Sequence, residues 1–189
     1  MRSPWRGAAL CCFGLATACG SGTDFTAPEQ TALRGRLLVS DAAPLLDSAG
    51  MATRETYTYV SLPAGTLPTG ARATVRNRAT GETADAPSID GAVDPVRLLA
   101  ATGDTVELSA DDGQGGASEE VSEVKKRVPP VVVRSEPGGG ATDAPTLVRV
   151  HIVFSEPVTA RSVTRSTVTV LLRDQPVEGT VVLSPEGLF

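Results

Sequence analysis

The chain has one histidine, His151, and no cysteine after residue 19. Cys11, Cys12 and Cys19 all lie in the leading stretch, so the remainder can form no internal disulfide and must rely on its own core. A single imidazole removes every two-histidine metal or catalytic motif. No H-E-x-x-H, G-x-S-x-G, phosphate-loop or C-x-x-C pattern occurs either. Aromatic residues make up only 4% of the chain, so a core has to be assembled from Val, Leu and Ala. Lysine is confined to Lys125 and Lys126, and the formal net charge is -5, a balance that excludes the concentrated basic surface nucleic acid requires. Long apolar runs are missing too. The one apolar stretch of note, residues 7–18, would rise about 18 Å as a helix, short of the roughly 30 Å hydrocarbon core of a bilayer.

What stands at the beginning is a basic MRSPWR, the apolar or small GAALCCFGLATA, and then Cys19 followed by GSG, the pattern of a secretory signal peptide over residues 1–18. Ala16-Thr17-Ala18-Cys19 resembles a bacterial lipobox, with Ala16 where that family favours a larger aliphatic residue. The resemblance implies cleavage before Cys19 and lipidation of its thiol, hence a membrane partner reached through acyl chains. The alternative for the same residues is an ordinary signal cleaved after Ala18. Glycine at position 20, in place of the aspartate of inner-membrane retention, implies the outer membrane or cell surface within the cell envelope. Residues 19–32 read as a flexible tether.

From Leu33 onward the pattern has period two, the signature of half-buried strands. Leu33, Leu37 and Val39 share a face opposite Arg34 and Arg36. Tyr57 and Tyr59 oppose Val60 and Leu62, Ala71, Ala73 and Val75 oppose Arg72 and Arg76, and Val106 and Leu108 repeat the arrangement. Turn-forming stretches separate these runs at residues 63–70, 78–82, 88–91 and 102–104. APLLDSAGM (43–51) is the one place compatible with a helical turn. The exported chain is therefore expected to be all-β, with one unit over 33–127. A boundary is expected near 125–130, where a charged, edge-like strand runs into Pro129-Pro130, and a second unit over 128–189.

Residues 73–115 carry an N-x-x-T-G turn, a D-G turn and a G-D-T strand, and look like the Ig-like repeats of bacterial surface proteins. Residues 129–181 carry P-x-V, S-x-P-x-x-G-A-T, F-S-E-P-V, an S-V-T element and V-x-G-T-V in order, and resemble the SbsA-type bacterial Ig-like domain. Both resemblances imply Ig-like β-sandwiches. An Ig-like sandwich takes about 100 residues and seven strands, so the C-terminal sandwich is expected to be incomplete, as in a truncated fragment.

The candidate chemistry is sparse. His151 alternates with Val150 and Ile152 and is expected on an outward face beside Arg149. Asp90, Asp94, Asp104, Asp111 and Asp112 raise calcium, but they lack EF-hand spacing and suit tight turns. F-S-E-P-V also occurs in periplasmic copper-resistance sandwiches, yet the histidines such a site needs are missing. Arg72, Arg76 and Arg78 could face an anionic glycan or pair with Glu55, Glu82 and Glu107 on neighbouring strands. Tyr57 and Tyr59 could stack on sugars or simply cover a sheet. No catalytic, cofactor-binding or metal residue is assigned. The expectation is a non-enzymatic lipoprotein serving as spacer, adhesion or scaffold module, with a protein or glycan surface partner. The stalk of a larger exported enzyme such as a hydrolase is the alternative, and a periplasmic metal-binding sandwich a third.

Overall fold

The computed structural model describes Leu33 and residues 36–111, 117–142, 144–145 and 147–189. The expected signal peptide and tether, with Cys19, Arg34 and Asp112, lie outside these residues. All regular structure in the described part is strand: β1 (Leu38–Val39), β2 (Ala43–Leu46), β3 (Ala52–Leu62), β4 (Arg72–Asn77), β5 (Thr83–Ile89), β6 (Ala92–Leu99), β7 (Thr105–Asp111), β8 (Ala117–Glu123), β9 (Val132–Glu136), β10 (His151–Phe154), β11 (Val170–Leu172) and β12 (Gln175–Val177).

The first eight strands form one antiparallel sheet in the order β1-β3-β6-β5-β4-β7-β8, with β2 also on β3. Strand β5 makes the corner. Its residues 83–87 pair with β4, and Ser88 and Ile89 pair with Val93 and Ala92 of β6. The sheet thus folds over into two layers, β1, β2, β3 and β6 facing β4, β7 and β8, and closes a sandwich with a single core. Alternation decides which side chains enter it: Val60, Leu62 and Leu98 from one layer, Ala73, Val75, Val106, Leu108 and Ala110 from the other. Arg72, Thr74 and Arg76 point out between them.

The expectation of a helical turn at 43–51 is corrected. Residues 43–46 are β2, antiparallel to β3, and the Asp47 carboxylate accepts the Ala49 and Met51 N–H groups to form the hairpin turn. β1 and β2 run along the same side of β3, interrupted at Ser40. There the Ser40 hydroxyl accepts Tyr59 N–H, and the Thr58 hydroxyl donates to Ser40 C=O at 2.7 Å. Leu33 and Leu37 are buried as expected, but ahead of the strand.

Two turns explain the motifs. Asp90-Gly91 joins β5 to β6 with φ 51° and 71°, the paired positive values of a two-residue type I′ hairpin. A Cβ on Gly91 would collide with the Leu67 carbonyl, because the 63–67 loop lies on this turn and donates Thr66 and Leu67 N–H to Gly91 C=O. At the other end, Asn77 closes the NRATG turn. Its side chain, 0% exposed, donates to Leu99 C=O at 2.9 Å and to the Asp104 carboxylate at 2.8 Å, and accepts Ala79 N–H at 2.9 Å.

After β8 the chain makes a two-stranded β9–β10 ladder and a separate β11–β12 hairpin; among the described residues these are not joined into a sandwich. The alternation around His151 yields only a short strand, His151–Phe154. Val170, Leu171 and Leu172 are exposed, as are Val177 and Val182. A hairpin with no apolar partner is marginal in water.

Replacing Asn77 with alanine removes one donor from the Leu99 carbonyl and one from the Asp104 carboxylate, and leaves the Ala79 N–H without its acceptor. It is expected to cost about 2–3 kcal/mol, read as a lower urea midpoint at unchanged slope. A loss under about 0.5 kcal/mol would show the amide to be dispensable.

Candidate functional site

The C-terminal segment meets the N-terminal sandwich along β6. There β9 lies over the outer face of β6, and Val133 and Val153 pack on Ala92 and Leu38 as a second, small core. Ala64 N–H donates to Val133 C=O at 2.9 Å. Arg134 grips Asp94 with two bonds, Nε to Oδ1 at 2.7 Å and Nη2 to Oδ2 at 2.8 Å, and lies 3.7 Å from Glu136. The two-bonded carboxylate raises the Arg134 pKa against the opposing effect of burial. The connector is pinned as well: Val124 is fully buried in the main core, and Val128 N–H donates to Asp41 Oδ1 at 2.7 Å. The F-S-E-P-V turn closes the far side, with Ser155 N–H on Val131 C=O and Val131 N–H on Ser155 Oγ.

Glu156 of that turn is half-buried near Asp41. Burial first, and the Asp41 charge second, raise its pKa above the usual carboxylate value, while the Asp41 backbone N–H pulls the other way.

The aspartates singled out from the sequence serve separate local roles. Asp90 is in the hairpin turn, Asp94 holds Arg134, and Asp104 accepts from Asn77 and from Ala101 N–H. Among the described residues no three His, Cys, Asp or Glu side chains come together as a metal would require. His151 is exposed on β10, opposite Glu136 in the ladder. Among the described residues no helix is long and apolar enough to cross a membrane.

The arginine stripe meets carboxylates, Glu107 among them as expected. Arg78 bonds Glu107 and Glu119, each at 2.7 Å, and Arg76 stands opposite Glu107 in the ladder. The Arg78 hydrogen bond is the main reason the Glu107 pKa is lowered. Glu55 is corrected as a partner, because it lies on β3 in the other layer. Glu119, the second partner of Arg78, lies on edge strand β8, and the alternation of ASEEVSE is too weak to fix its register from sequence.

Tyr57 and Tyr59 do share the outer face of β3. Their rings meet edge to face at 5.5 Å and 89°, and the Arg97 guanidinium lies 5.3 Å over the Tyr57 ring. Burial raises the Tyr59 pKa, with Tyr57 adding to the effect, Arg97 opposing it and Glu186 reinforcing it.

An all-β sandwich carrying strands and turns of Ig-like pattern defines the class. Residues 126–187 match the family model described as bacterial Ig-like domain, so this part of the chain carries a bacterial Ig-like module. No curated protein and no solved structure matches the chain. Domains of this family are generally non-catalytic and typically occur on exported cell-surface proteins.

Two outcomes follow. Arg134→Ala is expected to loosen the junction by about 1 kcal/mol, the partly exposed Asp94 limiting the effect. Trypsin should then cut the exposed Lys125–Arg127 connector several-fold faster, and an unchanged rate would mean the junction does not guard it. Glu156 has a raised folded pKa, so the native state holds its proton more tightly than the unfolded state. Its contribution is neutral below the ordinary value of 4.5, and becomes a penalty as pH rises through the shifted value. Glu156→Gln should therefore raise the melting temperature at neutral pH and leave it unchanged in acid; an equal gain at both would refute the titration.

Proposed function

We propose that the chain is a non-catalytic module of the bacterial cell envelope, exported by residues 1–18 and anchored by lipid on Cys19. In this reading residues 33–127 form a sandwich that carries the Ig-like segment 128–189 as spacer, adhesion or scaffold element. The single observation that carries the reading is the match of residues 126–187 to the bacterial Ig-like domain. The engagement of Asp94 and Asp104 in the fold supports a structural use of groups that could otherwise suggest chemistry.

The anchor follows from position and chemistry. A thiol directly after a small-residue cleavage site, in a chain whose other cysteines leave with the leader, has acylation as its natural use. Two or three acyl chains would hold the protein on a membrane where one would not.

Expression in a bacterial host with labelled palmitate tests this. The wild-type chain should take up label and sediment with membranes, with a mature N-terminus at a modified Cys19 by mass spectrometry. Cys19→Ala should lose both. An unmodified Cys19, or cleavage elsewhere, would overturn the lipid anchor while leaving the fold untouched.

A further inference from the structure

Strands β11 and β12 pair with each other alone, so both edges of the hairpin are open among the described residues. Its aliphatic side chains are uncovered, Leu172 the most, at 67% exposure. We propose that the outer edge of β11 is a self-association surface, on which the same edge of a second copy of this chain pairs antiparallel about Leu171. The ladder decides which edge can do this. Arg173 and Asp174, at φ 49° and 64°, make a two-residue type I′ loop, so Leu172 and Gln175 flank it as a hydrogen-bonded pair. Bonded and non-bonded pairs alternate, which makes Leu171 and Pro176 a non-bonded pair whose backbone groups point away from the hairpin. On β12 that outward position is a proline, with no N–H to give, so the edge is blunted. On β11 it is a leucine, whose N–H and C=O take no bond elsewhere among the described residues.

A second copy suits this edge because the chain carries both halves of the contact. Centred on Leu171, the two copies exchange both Leu171 backbone bonds, and Val170 of each stands opposite Leu172 of the other. This is the register in which all three β11 residues of one copy meet all three of the other. A slip of one residue would set outward backbone groups against inward ones. Val170 and Val177, with Val168 and Val181, line a groove of about 300 Å³, and Leu172 of the second copy is delivered to its mouth. Charge agrees with shape. Continuing the ladder by one step sets Glu178 beside Thr169, and Arg173 of the second copy falls on the other side of Thr169, so opposite charges flank one threonine at each end. With β12 blunted, the four strands close as a two-fold unit and do not grow into a fibre. The edge is far smaller than the about 800 Å² per side of a stable interface, so the pairing is weak and depends on concentration. It concerns residues 168–181 and does not depend on lipid at Cys19.

The test uses the full chain in detergent at roughly millimolar concentration, where a weak pairing is populated. One deuterated sample keeps protons only on valine methyls and a second only on leucine methyls, so that on mixing every valine–leucine contact lies between copies. A Val170–Leu172 contact that fades on dilution, together with a protein mass per particle that rises toward twice the monomer's, would support the proposal. Leu171→Pro removes the outward N–H and none of the hairpin's own bonds, and should lower the association constant at least tenfold. Leu172→Lys withdraws the apolar knob and leaves the backbone alone. It should weaken association equally by sedimentation, and so decides the matter if the proline disturbs the hairpin. Monomer at every concentration would overturn the proposal in favour of another partner for this edge. So would dimers without the Val170–Leu172 contact, or dimers that neither substitution weakens. Lipidation is scored separately, so its failure and the failure of this surface are distinguishable.

Discussion

The buried amide of Asn77 is the point on which the sandwich is registered. A core of Val, Ala and Leu with few large side chains excludes water but does little to specify which strand end meets which. Asn77 does specify it. One side chain ends β4, receives the turn after it, and donates both to the end of β6 and to the carboxylate of the β6–β7 turn. Asp104 in turn takes Ala101 N–H, so three chain segments at one end share a single polar node. Both N–H groups and the oxygen of the Asn77 amide are used, the condition under which a buried polar group adds specificity and not merely cost.

At the opposite side the sandwich offers β6 to the Ig-like segment. Val133 and Val153 close a small apolar contact on Leu38 and Ala92, and Arg134 fixes its orientation through the planar fork of bonds to Asp94. Because the connector is itself pinned at Val124 and Val128, the two parts are held together by packing, an ion pair and backbone bonds at once. What is left uncovered lies farther on, where β11 and β12 expose aliphatic side chains around a turn made by Arg173 and Asp174 at positive φ.

Much of the fold was legible because its signals are local. Tyr57 and Tyr59 opposite Val60 and Leu62, and Arg72 and Arg76 opposite Ala73 and Val75, fall on the faces their period of two dictates. The Asp90-Gly91 hairpin and the NRATG turn follow from residues that tolerate positive φ. The misread parts depend on distant chain. APLLDSAGM reads as a turn of helix until β3 lies beside it, and Glu55 reads as a partner for Arg72 only if β3 and β4 are assumed adjacent. The seating of the Ig-like segment could not be read at all, since Arg134 and Asp94 are forty residues apart and neither belongs to a motif.

Residues 126–187 carry a bacterial Ig-like module, and Asp94 and Asp104 are engaged in holding the fold. The central claim is that the sandwich and the Ig-like segment behave as one body. Methyl NMR measures this directly. The account predicts nuclear Overhauser contacts from Val133 to Leu38 and Ala92 and a common rotational correlation time for both parts. Absent contacts, with the segment after residue 128 tumbling independently, would contradict it.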